Sequence, residues 1–161
     1  MADEQDIARC FSRFYPAIRA KCARMLSDAE EASDVAQETF IRLWRELGDA
    51  SDVRTTTAFI YKTSTRLAID HLRQRKRRPR AELETLTSNT DDERALDVRQ
   101  TLAELARVIP AEELELAILE RVDRMSQLEI AAVLGCSDRQ VRRLSQKLET
   151  RLSALKRRLD Q

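Results

Sequence analysis

From Arg139 to Lys147 the chain sets Arg139, Gln140, Arg142, Arg143, Gln146 and Lys147 close together, and no acid interrupts them before Glu149. Guanidinium and amide groups are the side chains that pair bidentately with base edges in the major groove of DNA, and Lys and Arg also neutralise phosphates. A second set lies near the middle of the chain. On a helix turning a hundred degrees per residue, Lys62, Arg66, Arg73 and Arg77 fall within about sixty degrees of one another, with Phe59, Tyr61 and His71 beside them. Positive charge for a backbone and flat rings for unstacked bases suit a single strand of nucleic acid, although a solvated basic face with core aromatics has the same composition. A third set, Asp34, Gln37, Glu38 and Arg42, forms a polar edge followed by Trp44 and Arg45. Such an edge faces solvent or docks a partner helix. Nothing in the chain assembles a catalytic constellation. There is one histidine, no Gly-rich phosphate loop and no nucleophile motif, so an enzyme is not expected.

The first set must be held by the stretch "SQLEIAAVLGCSDRQVRRLSQKL", residues 126–148. Ser126 with Glu129, and Ser137 with Gln140, each have the spacing of a reciprocal capping box and so mark two helix starts. Ile130, Val133 and Leu134 share one helical face, and Val141, Leu144 and Leu148 share another. Gly135 ends the first helix as a residue free to turn left-handed. Ala131 is small where the two helices cross. The combined pattern is a helix-turn-helix, whose second helix, from Asp138, enters the major groove. An ordinary helical corner in a bundle uses the same caps.

Composition agrees with a helical chain. The 161 residues include 2 glycines and 3 prolines, with 4% aromatic and 35% charged residues. The net charge is only +1, but it is unevenly spread. Arg66–Arg80 carries seven bases against one acid, Asp70; an acid-rich stretch then runs to Asp97, and bases dominate again from Arg139. Cys10, Cys22 and Cys136 make neither a disulfide framework nor a zinc set, so no metal and no cofactor is expected. No signal-peptide pattern and no membrane-spanning apolar run is present, which places the chain in the cytoplasm without membrane insertion. Along the chain, helices are predicted over 5–26 with a kink or break at Pro16, over 29–47, and over 57–78 after a turn-rich loop at 48–57. Further helices are predicted over 93–108 and 111–122, before the two of the corner. The fold class is all-α: two small helical domains joined by a flexible linker, at 1–79, 80–96 and 97–161, the second containing the helix-turn-helix.

In this order the parts resemble the extracytoplasmic-function sigma factors of bacterial RNA polymerase. "DAEEASDVAQETFIRLWRE" is similar to the family's polymerase-binding helix, D-x-x-Q-E-x-F-x-R-x-W, matched by Asp34, Gln37, Glu38, Phe40, Arg42 and Trp44. "AFIYKTSTRLAIDHLRQRKRR" is similar to the segment that melts and holds the minus-ten element, with Leu67, Ala68, Asp70, Leu72 and Arg73 on its L-A-x-D-x-L-R. "IPAEELELAILERVDRMSQLEIAAVLG" resembles the lead-in to the helix that reads the minus-thirty-five element. The chain departs from the family pattern at Thr65 and Arg66, where Arg-Asn is usual, at Phe59, where Trp is usual, and at Leu144 and Ser145. The resemblance implies a promoter-specificity subunit. Core RNA polymerase would bind through Asp34, Gln37, Glu38 and Arg42. Minus-ten DNA would contact Phe59, Tyr61, Lys62, Arg66, Arg73 and Arg77, and minus-thirty-five DNA would contact Arg139, Gln140, Arg142, Arg143 and Lys147. An anti-sigma factor is implied as a further partner. The alternatives are a free-standing helix-turn-helix regulator and a helical adaptor, neither of which requires the Asp34–Glu38 edge.

Overall fold

Asp28 starts the second helix by accepting the Glu30 amide on its carboxylate (2.8 Å), and the strict 3.6-residue periodicity that follows fixes which side goes inward. The same logic organises the whole of the computed structural model, which describes residues 4–47, 52–74 and 90–161. Among them every regular element is helical: α1 (Glu4–Met25), α2 (Ala29–Leu47), α3 (Val53–Gln74), α4 (Thr90–Val108), α5 (Ala111–Arg121), α6 (Gln127–Leu134) and α7 (Asp138–Leu159). The all-α expectation holds, with α1–α3 and α4–α7 as two helical parts. Residues 80–89 of the expected linker lie outside the described residues, and its last positions already belong to α4.

In the first part α1 packs on α2 and α2 on α3. Ile18, Cys22, Met25 and Leu26 meet Ala32, Val35, Ala36, Phe40, Ile60, Leu67, Ala68, Ile69 and Leu72 in the core. Two sequence expectations change. The break at Pro16 does not occur: α1 runs through it, with the proline ring exposed. Core residues on both sides of it, Phe14 and Ile18, hold the two halves of the helix against α2 and α3. The loop at 48–57 is shorter than expected, because α3 begins at Val53. Asp52 accepts the Thr55 amide on its carboxylate (2.6 Å) and acts as an N-cap. Those backbone donors hold the Asp52 carboxyl below its ordinary range. The turn residues at 48–52 masked this cap in the sequence.

In the second part α5 is the central helix. Leu114, Leu116, Ile118 and Leu119 are buried, and Glu113 and Glu115 are buried with them. These positions surround the helix rather than forming one stripe, so no side of it faces water along its middle. Each buried leucine or isoleucine stabilises this arrangement by about 1.5–3 kcal/mol. Arg151 of α7 grips the Glu113 carboxylate with two donors (2.7 and 3.2 Å), tying α7 to α5. The parts also meet each other: α4, α5 and α6 all pack on α3, and α4 also touches α1.

Candidate nucleic-acid interface

The corner that presents α7 is built as its residue types dictate. The Ser126 hydroxyl accepts the Glu129 amide (3.2 Å) and starts α6. The reciprocal arm differs from the expected capping box, because Ser126 Oγ donates to the Glu129 carboxylate (3.1 Å) in place of the Ser126 amide. Gly135 stands at φ 67°, ψ 37°, the left-handed conformation expected of it. The Cys136 amide then donates back to Ala131 O (3.0 Å). The second capping box is complete: the Gln140 amide donates to Ser137 Oγ (3.2 Å), and Gln140 Oε1 accepts the Ser137 amide (2.9 Å). Val141 and Leu148 are buried, with Leu144 half-buried beside them. Arg139, Gln140, Arg142, Arg143 and Lys147 are all exposed on the outer side. Two details alter the sequence reading. Gln140 uses its carbonyl oxygen for the cap, leaving only its amide nitrogen for a ligand. Arg151, a natural candidate for a phosphate, is held by Glu113.

On α3, Phe59, Tyr61 and Lys62 are half-buried, while Arg66 and Arg73 are exposed and on one side, as the spacing requires. Arg77 lies outside the described residues. The structure gives both arginines partners that the sequence did not announce. Arg66 is ion-paired to Glu115 of α5. Arg73 donates to the carbonyls of Ala106 (2.9 Å) and Ile109 (3.2 Å) at the end of α4, where the free carbonyls and the helix dipole favour a cation.

Beneath this face lies an ion pair that sequence reasoning missed. Lys21 of α1 is 1% exposed, and its ammonium donates to Asp123 Oδ2 (2.6 Å), in the loop after α5, and to Thr65 Oγ1 (2.6 Å). The Thr65 hydroxyl in turn donates to Tyr61 O (2.7 Å). The ammonium also stands 5.4 Å from the centre of the Tyr61 ring. Burial pushes the Lys21 pKa down and the Asp123 pKa up, while the opposite charge of each works against the shift. Burial, with the Asp123 and Glu129 carboxylates nearby, likewise raises the Tyr61 phenol. Arg124, next to Asp123, takes φ 54°, so the loop holds a non-glycine residue in a left-handed turn there. The partners are 102 residues apart in sequence, and no local pattern marks them.

The third set stays on one exposed side of α2. Asp34 and Gln37 are exposed, and Arg42 Nε donates to the Glu38 carboxylate (3.1 Å) one turn away. Between and beyond them Ile41 and Trp44 are also exposed, Trp44 at 64%. An ionic edge with two large apolar groups at i, i+3 is a docking surface in composition. The sequence reading had the acids and the tryptophan but not Ile41.

Residues 10–78 match the family described as Sigma-70 region 2. The chain is 26% identical over 131 residues to the ECF RNA polymerase sigma factor SigW of Bacillus subtilis, covering 71% of this chain and 69% of that protein. It is 27% identical to the "Probable RNA polymerase sigma factor RfaY" of Xanthomonas campestris pv. campestris, over 98% of this chain and 42% of that protein. Over 56 residues, 35% of this chain and 29% of the relative, it is 41% identical to the RNA polymerase sigma-H factor of Pseudomonas aeruginosa. The chain is an RNA polymerase sigma factor, and the free-standing regulator is not favoured. Within that class it belongs to the extracytoplasmic-function family. No described helix is long and apolar enough to cross a membrane.

Proposed function

We propose that this chain docks on core RNA polymerase through the exposed side of α2 and carries it to promoters read at two places. Residues 1–79 form the region-two-like domain, residues 97–161 the region-four-like domain, and 80–96 connect them. Asp34, Gln37, Glu38 and Arg42 make the ionic contacts with polymerase, and Ile41 and Trp44 supply the apolar anchors. Phe59, Tyr61, Lys62, Arg66, Arg73 and Arg77 hold the displaced strand of the minus-ten element, through charge on its phosphates and stacking on its bases. Arg139, Arg142, Arg143 and the amide nitrogen of Gln140 face the bases of the minus-thirty-five duplex, with Lys147 on phosphate. An anti-sigma factor that covers the α2 side would keep the chain from polymerase.

The observation that carries this reading is the α2 side itself. Trp44 is largely exposed beside Asp34 and Gln37, and burying such an apolar group against a partner is worth more than any of the surface charges. The test is the double variant Asp34→Arg, Glu38→Arg, which sets reversed charge against the partner. Such a mismatch costs several kcal/mol. Co-elution with core polymerase should be lost while the helical circular dichroism is kept. Binding equal to the wild type would refute the docking assignment.

A further inference from the structure

The cations assigned to the promoter strand are already occupied within the chain. Arg66 is taken by the Glu115 carboxylate, which is 8% exposed, and Arg73 by two backbone carbonyls at the end of α4. The second part therefore offers a carboxylate and the negative end of a helix where a strand would offer phosphates. Tyr61, one of the rings assigned to base stacking, is half-buried over Lys21. A strand and the second part cannot both hold these groups. Behind the face, Lys21 reaches from α1 to Asp123, the two side chains being only 1% and 5% exposed. Arg99 of α4 donates to Ala23 O of α1 (2.7 Å) at the other edge of the contact.

We infer that the chain has a closed state in which its second part covers the strand-binding face of α3, latched by the buried Lys21–Asp123 pair and its bond to Thr65. The inference rests on the strand-binding role given to α3 above. The latch is specific in a way a surface pair is not. Removing Asp123 leaves a buried ammonium without its counter-charge in the closed state, whereas once the parts separate the loop carrying Asp123 leaves α1 and nothing is lost. The perturbation therefore falls on the closed state alone. When a competent state is only a small fraction of the population, its apparent affinity falls by that fraction. Releasing the latch should raise strand affinity correspondingly.

The experiment uses the full chain without polymerase, as wild type, as Asp123→Ala, and as the milder Glu115→Gln, which frees Arg66 and leaves the latch in place. Small-angle scattering reports separation of the parts, and a short dye-labelled single-stranded DNA oligonucleotide reports the α3 face by anisotropy. Circular dichroism checks that helix content is unchanged. The closed state predicts a larger radius of gyration for Asp123→Ala than for wild type, with strand affinity raised about tenfold or more, and a smaller gain for Glu115→Gln. A wild type already as expanded as the variant overturns the closed state itself. So does a variant that keeps its helices and stays compact. Expansion with no gain in strand affinity, in either variant, overturns the inference through its premise, that α3 holds a strand. If Asp123→Ala loses helix content, Glu115→Gln decides: higher strand affinity supports the closed state and unchanged affinity refutes it.

Discussion

Replacing Gly135 tests the corner that aims α7, and the structure fixes the size of the effect. Gly135 sits at φ 67°, and a Cβ placed there would meet nothing within 4 Å. The cost of Gly135→Ala is thus conformational, with no steric part. Holding an L-residue left-handed costs roughly 1–2 kcal/mol, and the stiffer unfolded chain returns about 0.4–1 kcal/mol. The net loss should be about 1 kcal/mol. Asn tolerates this conformation better than other L-residues, so Gly135→Asn should lose less, and β-branched Gly135→Val should lose more. Urea unfolding followed by far-ultraviolet circular dichroism orders the three, with the slope against urea unchanged. A loss above about 3 kcal/mol for Ala would mean that the Cβ collides with something. A neutral Ala, or Asn no better than Val, would mean that the corner is not left-handed.

Three further outcomes are expected. Lys147→Ala should weaken the holoenzyme's binding to all promoters alike and flatten its logarithmic salt dependence by about one unit. Arg142→Ala should instead relax the preference at one or two base pairs, by about 1–3 kcal/mol; selection from a randomised minus-thirty-five library separates the two, and an unchanged selected sequence for Arg142→Ala would refute base reading by α7. Cys22 is buried with its thiol pushed up to about 11, so about one molecule in ten thousand carries the thiolate at neutral pH. An aromatic disulfide reagent should label the half-buried Cys10 and Cys136 first and reach Cys22 only on unfolding; rapid labelling of all three would refute this packing. The Asp52 carboxyl is held low by the amides it caps, so its support for α3 is present above the unfolded carboxylate pKa, about 4, and is lost as pH falls through the lower folded value. Amide exchange in the first turn of α3 should therefore quicken in acid, and Asp52→Asn should remove that pH dependence.

Elements whose ends are written in their own residues were legible. Helix α2 runs from Ala29 to Leu47 as its periodicity indicates, and both starts at the corner sit on Ser126 and Ser137. Helix α3 began early because Asp52 is one of several turn-forming residues and three threonines follow it, so cap and loop have the same composition. Pro16 misled because a proline removes one backbone bond, while the packing on either side of it is long-range and invisible to a local rule. Sites followed the same division. The outer face of α7 and the edge of α2 are each made by one helix and were found. The groups that face one another across the two parts were not. Glu115 stands 49 residues from Arg66 and Asp123 stands 102 from Lys21. One signal was available: the apolar residues of α5 surround it, so Glu113 and Glu115 had to be enclosed and had to find cations.

That enclosure bears on why a contact between the parts can be both specific and reversible. The Arg66 side chain is 56% exposed, and an ion pair so open to water adds little to stability. Lys21 with Asp123 is the reverse case. Desolvation of two buried charges nearly cancels their attraction, so the pair adds little to the depth of the closed state, yet any register that separates the charges without hydrating them is heavily disfavoured. The apolar surfaces of α3, α5 and α6 then supply the attraction, and the buried pair selects the one arrangement in which they meet. A competitor need not break the latch directly. Phosphates on Arg66 and Arg73 together with a binding surface for the second part elsewhere are enough to shift the balance, because each acts only on the open state. A sigma factor with promoter and polymerase both in reach has the means for both contacts, and the free chain has neither.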